Sequence, residues 1–532
     1  MHGLRAVRRP LPGRLHKHGA SPVSSPAATY DLGKLHGGLR LPANKAESTA
    51  TSIQVIPVPD QLVLPIAQHV GEPAHPIVGI GEYVLKGQLL AESYGSLSAP
   101  IHAPSSGTVV AIEPWPVSRR QGDKAPCIVI ECDGEDRAVE LADDTASFNT
   151  LKPELLLQKI LQGGIVGLGG AVFPTGQKLM QAATMPLEYL ILNGVECEPY
   201  ISCDDLLMRE QAAEVLGGAQ ILMHALGLSD CYVVVESDKP EAIRAIGEAL
   251  ATLDDARITL KQVPTIYPSG GEDQLVQLVT NREVPTGGLP TDVGCVVQNV
   301  GTSAAIYRWV FEGEPLISRV TTVTGPGVKT PMNVTARIGT TVADVISFAG
   351  GYTPDAKQLI IGGPLCGKSV TTDRVPLVKA TNCILVLDEA DAPAVERPCI
   401  RCGECATVCP IQLLPQQLFW YACADNEAKL RSYGLTDCIE CGCCDLVCPS
   451  HIPLTANFRN AKARIQELAD EKARAERARL RFESRNERLE AEKLARETEL
   501  AQQKDEARKA GPAAIEEILK RQREKNDQDR ED

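Results

Sequence analysis

Ten of the chain's 18 cysteines fall between Cys399 and Cys448, and their spacing constrains the fold more than any other feature. The first run is Cys399-x2-Cys402-x2-Cys405-x3-Cys409-Pro410, and the second is Cys438-x2-Cys441-x2-Cys444-x3-Cys448-Pro449. Three cysteines at x2 spacing wrap one face of an iron–sulfur cubane, and the fourth, a helical turn further on, points at a neighbouring cubane. The spacing predicts two 4Fe–4S clusters, with Cys399, Cys402, Cys405 and Cys448 on one and Cys438, Cys441, Cys444 and Cys409 on the other. A zinc ribbon uses two Cys-x2-Cys pairs rather than two triplets each closed by Cys-Pro. A disulfide framework suits a small secreted domain. Cys423 and Cys443 fall off the pattern and read as spectators. The remaining eight cysteines are scattered and read mostly as small buried apolar residues. Clusters and free thiols together imply a reducing, cytoplasmic environment.

At 532 residues the chain has room for three or four domains of about 150 residues each. Its longest apolar runs, such as Tyr232–Val235 and Ile384–Leu387, read as buried strands. None approaches the ~18 residues needed to cross a bilayer. The net charge of −14 divides into three zones: +7 over residues 1–45, −22 over 46–456 and +1 over 457–532. An acidic body disfavours nucleic acid as a partner, because phosphate binding needs a basic face. It also disfavours direct adhesion to anionic lipid.

The expected fold class is multidomain α/β. Residues 1–34 form a basic, disordered N-terminus; Arg8-Arg9 lacks the apolar segment that a twin-arginine export signal requires. Residues 35–140 read as short strands separated by Gly and Pro turns. Val84–Ala91 and Ala103–Val110 resemble the two halves of a biotinyl/lipoyl-type barrel-sandwich hybrid domain. Lys86 is not at the hairpin tip where that family carries its modifiable lysine, so the domain reads as structural. Residues 148–312 alternate helix and strand, which predicts an α/β core with a largely parallel sheet. Helices are expected at Leu151–Leu161, Met208–Leu226 and Pro240–Ala251. Residues 316–392 read as a β-grasp, SLBB-like module around a helix at Val342–Ala349. Residues 393–456 form the ferredoxin-like domain with its two cluster motifs. Residues 457–532 form a charged helical tail without heptads, read as solvated.

A glycine-rich loop, Gly163-Gly164-Ile165-Val166-Gly167-Leu168-Gly169-Gly170-Ala171-Val172-Phe173-Pro174-Thr175-Gly176-Gln177-Lys178, precedes the strand at Tyr189–Leu192. Closely spaced glycines let backbone N–H groups approach an anion, and Lys178 adds a point charge. Val172 stands where a Rossmann fingerprint needs glycine, and no Gly-Lys-Ser/Thr follows. From spacing alone, the loop reads either as a phosphate cradle or as a tight helix–strand turn.

The loop resembles the Gly-x-Gly-Gly-Ala-Gly-Phe-Pro-Thr segment of the NADH- and FMN-binding flavoprotein subunit of respiratory complex I, with Val172 in place of glycine. Asn193-Gly194-Val195-Glu196-Cys197-Glu198-Pro199 resembles that family's Asn-Ala-Asp-Glu-x-Glu-Pro, with Val195 replacing Asp. Tyr267–Glu272 resembles its Tyr-x-x-Gly-Glu-Glu, and Gln298–Thr302 its Asn-Asn-Val-Glu-Thr. Barrel sandwich, flavoprotein-like core, β-grasp module and paired ferredoxin motifs, in that order over about residues 31–456, resemble the RnfC family of the Rnf ion-translocating electron transport complex. His36-Gly37-Gly38 and Gly362-Gly363-Pro364 also fit that family.

The resemblance implies an ion-translocating oxidoreductase subunit of the translocase class. It would move electrons between NAD(H), non-covalent FMN and the two 4Fe–4S clusters, with no catalytic side chain. Gly167, Gly169, Gly170 and Lys178 would hold the FMN phosphate. Asn193 would bind the isoalloxazine or ribityl, with Asn299 and Thr302 nearby. Glu198, Phe173 and Glu272 would meet the nicotinamide or adenine side. The implied partners are the ferredoxin-like RnfB, the membrane proteins RnfA, RnfD, RnfE and RnfG, and soluble ferredoxin or flavodoxin through the complex. The implied location is peripheral, on the cytoplasmic side of the inner membrane. Two rival readings are the flavoprotein subunit of a soluble NAD-linked hydrogenase or formate dehydrogenase, and a non-catalytic scaffold with a decayed flavin pocket.

Overall fold

A computed structural model describes residues 35–118, 122–140, 148–389 and 395–528. The N-terminal stretch 1–34, expected to be basic and disordered, lies outside them. Two compact units are formed. Arg40–Glu389 makes the body of the first, and the second takes in His36–Leu39 and the chain from residue 395 onward.

The first unit begins with two small antiparallel sheets. One has the order Gln61–Pro65, Lys124–Cys132, Gly107–Pro116, Tyr83–Val84; the other is His75–Pro76, Leu89–Glu92, Ile101–His102. Side chains alternate across each strand. Leu62, Leu64, Ile128 and Ile130 therefore enter the main core, while Val63, Cys127 and Val129 fill a smaller cluster with Val117 and Ala125. Lys86 pairs with Asp136 at 3.3 Å.

A four-stranded, all-parallel sheet follows, in the order Ile258–Val263, Asp230–Glu236, Tyr189–Gly194, Cys295–Asn299. Its two central strands carry the continuous apolar runs Val233–Val235 and Leu190–Leu192, as a sheet covered on both faces requires. The helix expected at Met208–Leu226 is two helices, Cys203–Glu210 and Ala212–Leu226. Gln211 leaves helical geometry at φ −129° and its side chain binds Arg308. The break falls at Gln211, where no Gly or Pro marks it, while Gly217 and Gly218 lie inside the second helix.

The β-grasp module is a six-stranded mixed sheet in the order Gln54–Val55, Met332–Arg337, Ser318–Thr324, Cys383–Leu387, Gln358–Ile361, Lys368–Val370, with a helix at Val342–Phe348. Gln54–Val55, which falls by sequence with the barrel sandwich, pairs instead with Met332–Arg337 and covers that strand's free edge. One apolar core runs through all three modules, from Leu62 and Ile128 through Leu156, Leu190 and Leu192 to Leu316 and Leu385.

In the second unit, short helices at Glu404–Thr407, Pro415–Cys423, Glu427–Ser432 and Cys443–Leu446 lead to a 57-residue helix, Leu454–Ala510. Its first turns bury Leu454, Phe458 and Ala461 against Leu418, Ala422 and Leu430. Beyond Ile465 its apolar residues Leu468, Leu480, Leu489, Leu494 and Leu500 are exposed. Gly511 ends it, and Pro512–Gln528 is a further helix. Among the described residues, no helix is long and apolar enough to cross a membrane.

Candidate functional site

The eight patterned cysteines line two cavities in the second unit. Cys399, Cys402, Cys405 and Cys448 surround one, walled by Ile400, Phe419, Ile452 and Leu454. Cys409, Cys438, Cys441 and Cys444 surround the other, walled by Ile411, Leu413, Leu418 and Phe458. The grouping is crossed: the cysteine that closes each run faces the other run's triplet. Local backbone produces it twice over. Arg401 and Glu440 adopt φ of 58° and 56°, Gly403 and Gly442 85° and 75°, and Gln412 and His451 54° and 52°. Four thiols in an apolar shell are the donor set that a cubane needs. Cys443 is buried at the wall of the second cavity, and its hydrogen bond draws the Cys441 thiol down to about 7. Cys423 is exposed.

Gly37 packs on the turn at Cys409. It has φ +56°, and a Cβ there would meet the Val408 and Cys409 carbonyls at 2.7 Å. Gly38 N donates to Val408 O at 2.9 Å. Only glycine fits this contact.

The other site lies at the carboxyl ends of the parallel strands. After Tyr189–Gly194 the chain moves outward to one side of the sheet, and Cys295–Asn299 returns on the opposite side. In open α/β sheets this reversal opens a crevice for a ligand. Asn193 and Asn299 are register partners on the two neighbouring strands at its edge. Asn193 Oδ1 accepts from Val195 N at 3.0 Å, and its Nδ2 donates to Gly270 O at 2.9 Å. Asn299 Oδ1 caps the following helix by accepting from Gly301 N at 2.8 Å, and its Nδ2 donates to the Asp204 carboxylate at 2.6 Å.

The glycine loop closes over this crevice. Gly167 N donates to Phe173 O at 2.9 Å, and Leu168 N donates to Thr302 Oγ1 at 2.9 Å. A Cβ on Gly169 would lie 3.4 Å from Asn299 Cβ, and Gly170 stands open at φ +110°. Gly169, Gly170 and Ala171 are exposed at the tip. Val172 occupies the left-handed region at φ 45°, which is the physical reason the related pattern carries glycine there. Two buried polar atoms next in sequence to Gly270 and Asn299, Ser269 Oγ and Gln298 Nε2, have no partner among the described residues. A bare loop tip together with orphaned polar atoms suits a bound polar cofactor such as FMN.

The structure brings Lys178 and Glu272 together. Lys178 Nζ bonds to the Glu272 carboxylate at 2.6 Å and to Val297 O at 2.9 Å. Glu198 turns towards the β-grasp module, where its Oε1 accepts from Leu365 N and Cys366 N at 2.9 Å each. Gly363 lies so close that a Cβ would meet Glu198 Oε1 at 2.4 Å. Burial pushes the Glu198 carboxyl up. Phe173 is half-buried and joins the site through its backbone.

Glu196 matches the Asn193–Pro199 motif without a role assigned to it there, whereas Asp204 and Arg319 have no signal in the sequence. Buried Glu196 accepts from Asp204 N at 2.9 Å, and burial raises its carboxyl to about 7. Asp204 and Arg319 sit behind Asn299 and Leu168. Asp204 and Arg319 belong to no run or spacing; tertiary folding collects them around Glu196.

Comparisons with known proteins follow this organisation. Residues 33–135 match the RnfC barrel sandwich hybrid domain, 160–308 the Nuo51 FMN-binding domain and 320–369 the SLBB domain. The chain is 49% identical over 455 residues to the C subunit of the ion-translocating oxidoreductase complex of Pseudomonas aeruginosa, covering 85% of this chain and 58% of that protein. The protein of the same name from Cronobacter sakazakii is 44% identical, covering 87% and 59%. That of Haemophilus influenzae is 42% identical, covering 87% and 70%. The chain therefore spans a little under three-fifths of the length of the first two relatives. An NAD+-reducing [NiFe]-hydrogenase in the H2-reduced state shows a weak likeness, with TM-score 0.42 and 18% identity over 60% of this chain and 61% of its own.

Proposed function

Because the chain belongs to the RnfC family of ion-translocating oxidoreductase complexes, we propose that it is the peripheral electron-input subunit of an Rnf-type complex, moving electrons between NAD(H), FMN and two 4Fe–4S clusters. The observation that carries this reading is that one chain holds both kinds of site: a glycine-lined crevice at the sheet's reversal and two four-cysteine cavities. When bound, FMN exchanges a hydride with NAD(H) and single electrons with iron–sulfur carriers, a conversion neither partner makes alone.

The chain's own residues bind and orient. Gly167, Gly169 and Gly170 offer a bare backbone to the FMN phosphate, and Lys178 adds a positive point charge. Asn193 and Asn299 hold the edge of the crevice, and Thr302 pins the loop at Leu168. Glu198, fixed by two N–H groups of the β-grasp module, forms the nicotinamide side with Phe173 and Glu272. The patterned cysteines hold the clusters in the crossed sets. No side chain is required as a general base.

The proposal extends to the translocase class, to docking on RnfB and on the membrane proteins RnfA, RnfD, RnfE and RnfG, to exchange with ferredoxin or flavodoxin, and to a place on the cytoplasmic face of the inner membrane. The acidic body and the lack of an apolar spanning helix among the described residues favour attachment through protein contacts. Anaerobically purified chain should carry about eight irons, as two cubanes require. It should also release one FMN, and NADH should bleach the flavin band. Zinc in place of iron, or no flavin, would overturn the reading.

A further inference from the structure

Lys379, in the loop between Leu377 and the Cys383–Leu387 strand of the β-grasp module, is 1% exposed. Its ammonium donates to Gly164 O at 2.6 Å and to Pro100 O at 2.9 Å. It thus joins the stem of the glycine loop to the barrel sandwich. No carboxylate pairs with it among the described residues, and burial lowers its proton affinity to about 7. His102 is buried and held neutral, its own proton affinity driven down to about 3 by burial and by Lys379. Its Nδ1 has no partner among the described residues. Gly164 has φ +64°, and a Cβ there would come within 3.2 Å of Lys379 Nζ, so the contact requires glycine.

Arg319, also of the β-grasp module and buried, donates to Lys379 O and reaches Leu168 O at 3.5 Å. Two cations from one module therefore grip the glycine loop from behind, at its stem and at its shoulder. Burying a cation without an anion is costly, and unneutralised lysines are rarely kept inside proteins. Lys178, in front of the loop, already has a carboxylate partner in Glu272. Arg319 likewise faces Asp204 and Glu196, whereas Lys379 faces no carboxylate among the described residues.

We propose that Lys379 is a positioning residue for the flavin: its buried amine braces the glycine-loop stem, and the cofactor's phosphate supplies the anion that the buried ammonium lacks. The proposal rests on the reading that FMN binds at this loop. It assigns the β-grasp module an electrostatic part in cofactor binding rather than a purely architectural one.

The test compares FMN with riboflavin, which lacks the phosphate, by fluorescence titration of the deflavinated full-length chain with its clusters intact. Lys379→Gln keeps N–H donors for the two carbonyls but removes the charge. It should weaken FMN on the order of tenfold, the effect of one charge at low screening, and leave riboflavin unchanged. Lys379→Arg should restore the preference for FMN. Equal weakening of both ligands would mean a packing role and overturn the proposal, as would no change in either. If Lys379→Gln does not fold, as judged by thermal unfolding, the same ratio is read on Lys379→Met. Wild-type chain that binds neither ligand would refute the flavin site itself, a result distinct from an altered ratio.

Discussion

The cysteine cavities draw six of their eight patterned thiols from two short stretches, Cys399–Cys405 and Cys438–Cys444. The flavin crevice instead gathers groups from Gly167 to Cys366, spread over the α/β core and the β-grasp module. In the first region a repeated left-handed turn before each second cysteine aims the ligands locally. In the second, each expected residue is held by a partner distant in sequence: Asn193 by Gly270, Asn299 by Asp204, Thr302 by Leu168. A locally coded site tolerates distant change and fails with any one ligand. A site assembled at long range loses function by degrees as its supports are removed.

The largest effect should come from breaking the local site. Cys448→Ser should reduce iron from about eight to about four per chain, abolish electron transfer and leave FMN in place. The surviving cluster should give the same spectrum as that left by Cys402→Ser. A spectrum matching Cys444→Ser instead would show that the grouping is not crossed.

Breaking the long-range site should cost less. Lys178→Ala should loosen FMN on the order of tenfold, the range for losing one charge-assisted contact, with iron unchanged. Equilibrium dialysis that finds unaltered flavin retention would remove Lys178 from the site.

A smaller effect, of opposite sign, is expected at Val172. Glycine there relieves roughly 1–2 kcal/mol of left-handed strain, less the ~0.5–1 kcal/mol that glycine's freer unfolded chain takes back. Val172→Gly should therefore stabilise the first unit by about 1 kcal/mol or less in denaturant unfolding, and retain FMN at least as well as wild type. Destabilisation would show that Val172 packing outweighs its backbone strain.

The smallest effect is a pH slope confined to the flavin region. Burial raises the Glu196 carboxyl from 4.5 to about 7. Across that window the folded chain keeps a proton that the unfolded chain releases, so stability falls as pH rises. Glu196→Gln should flatten this slope in unfolding midpoints measured from about pH 5 to about pH 8, while cluster content is unaffected. An unchanged slope would place its origin elsewhere.

The two regions also differ in how far they can be read before folding. The cluster ligands are legible to the residue, because iron–sulfur geometry is written in intervals of two and three along the chain. Cys443 is not: a spectator by spacing, it lies at a cavity wall, since position beside Cys444 does not reveal which way a short helix turns it. The glycine loop and the two asparagines are legible through resemblance, but their partners are not. Gln54–Val55 pairs with the distant strand Met332–Arg337, and Gln211 interrupts a helix through a bond to Arg308. Lys178 is legible as a cation near the loop, whereas its pairing with Glu272 depends on how the Tyr267–Glu272 turn meets the Thr175–Ala182 helix.

Intervals along the chain are enough for the cluster chemistry, the α/β alternation and the polar terminal helix, because each depends on contacts within a few residues. The placement of Glu198 under Leu365 and Cys366, the burial of Lys379 behind Gly164 and the meeting of Asn193 with Asn299 depend on non-local closure. There the sheet order and the shared apolar core bring together groups that no local pattern relates.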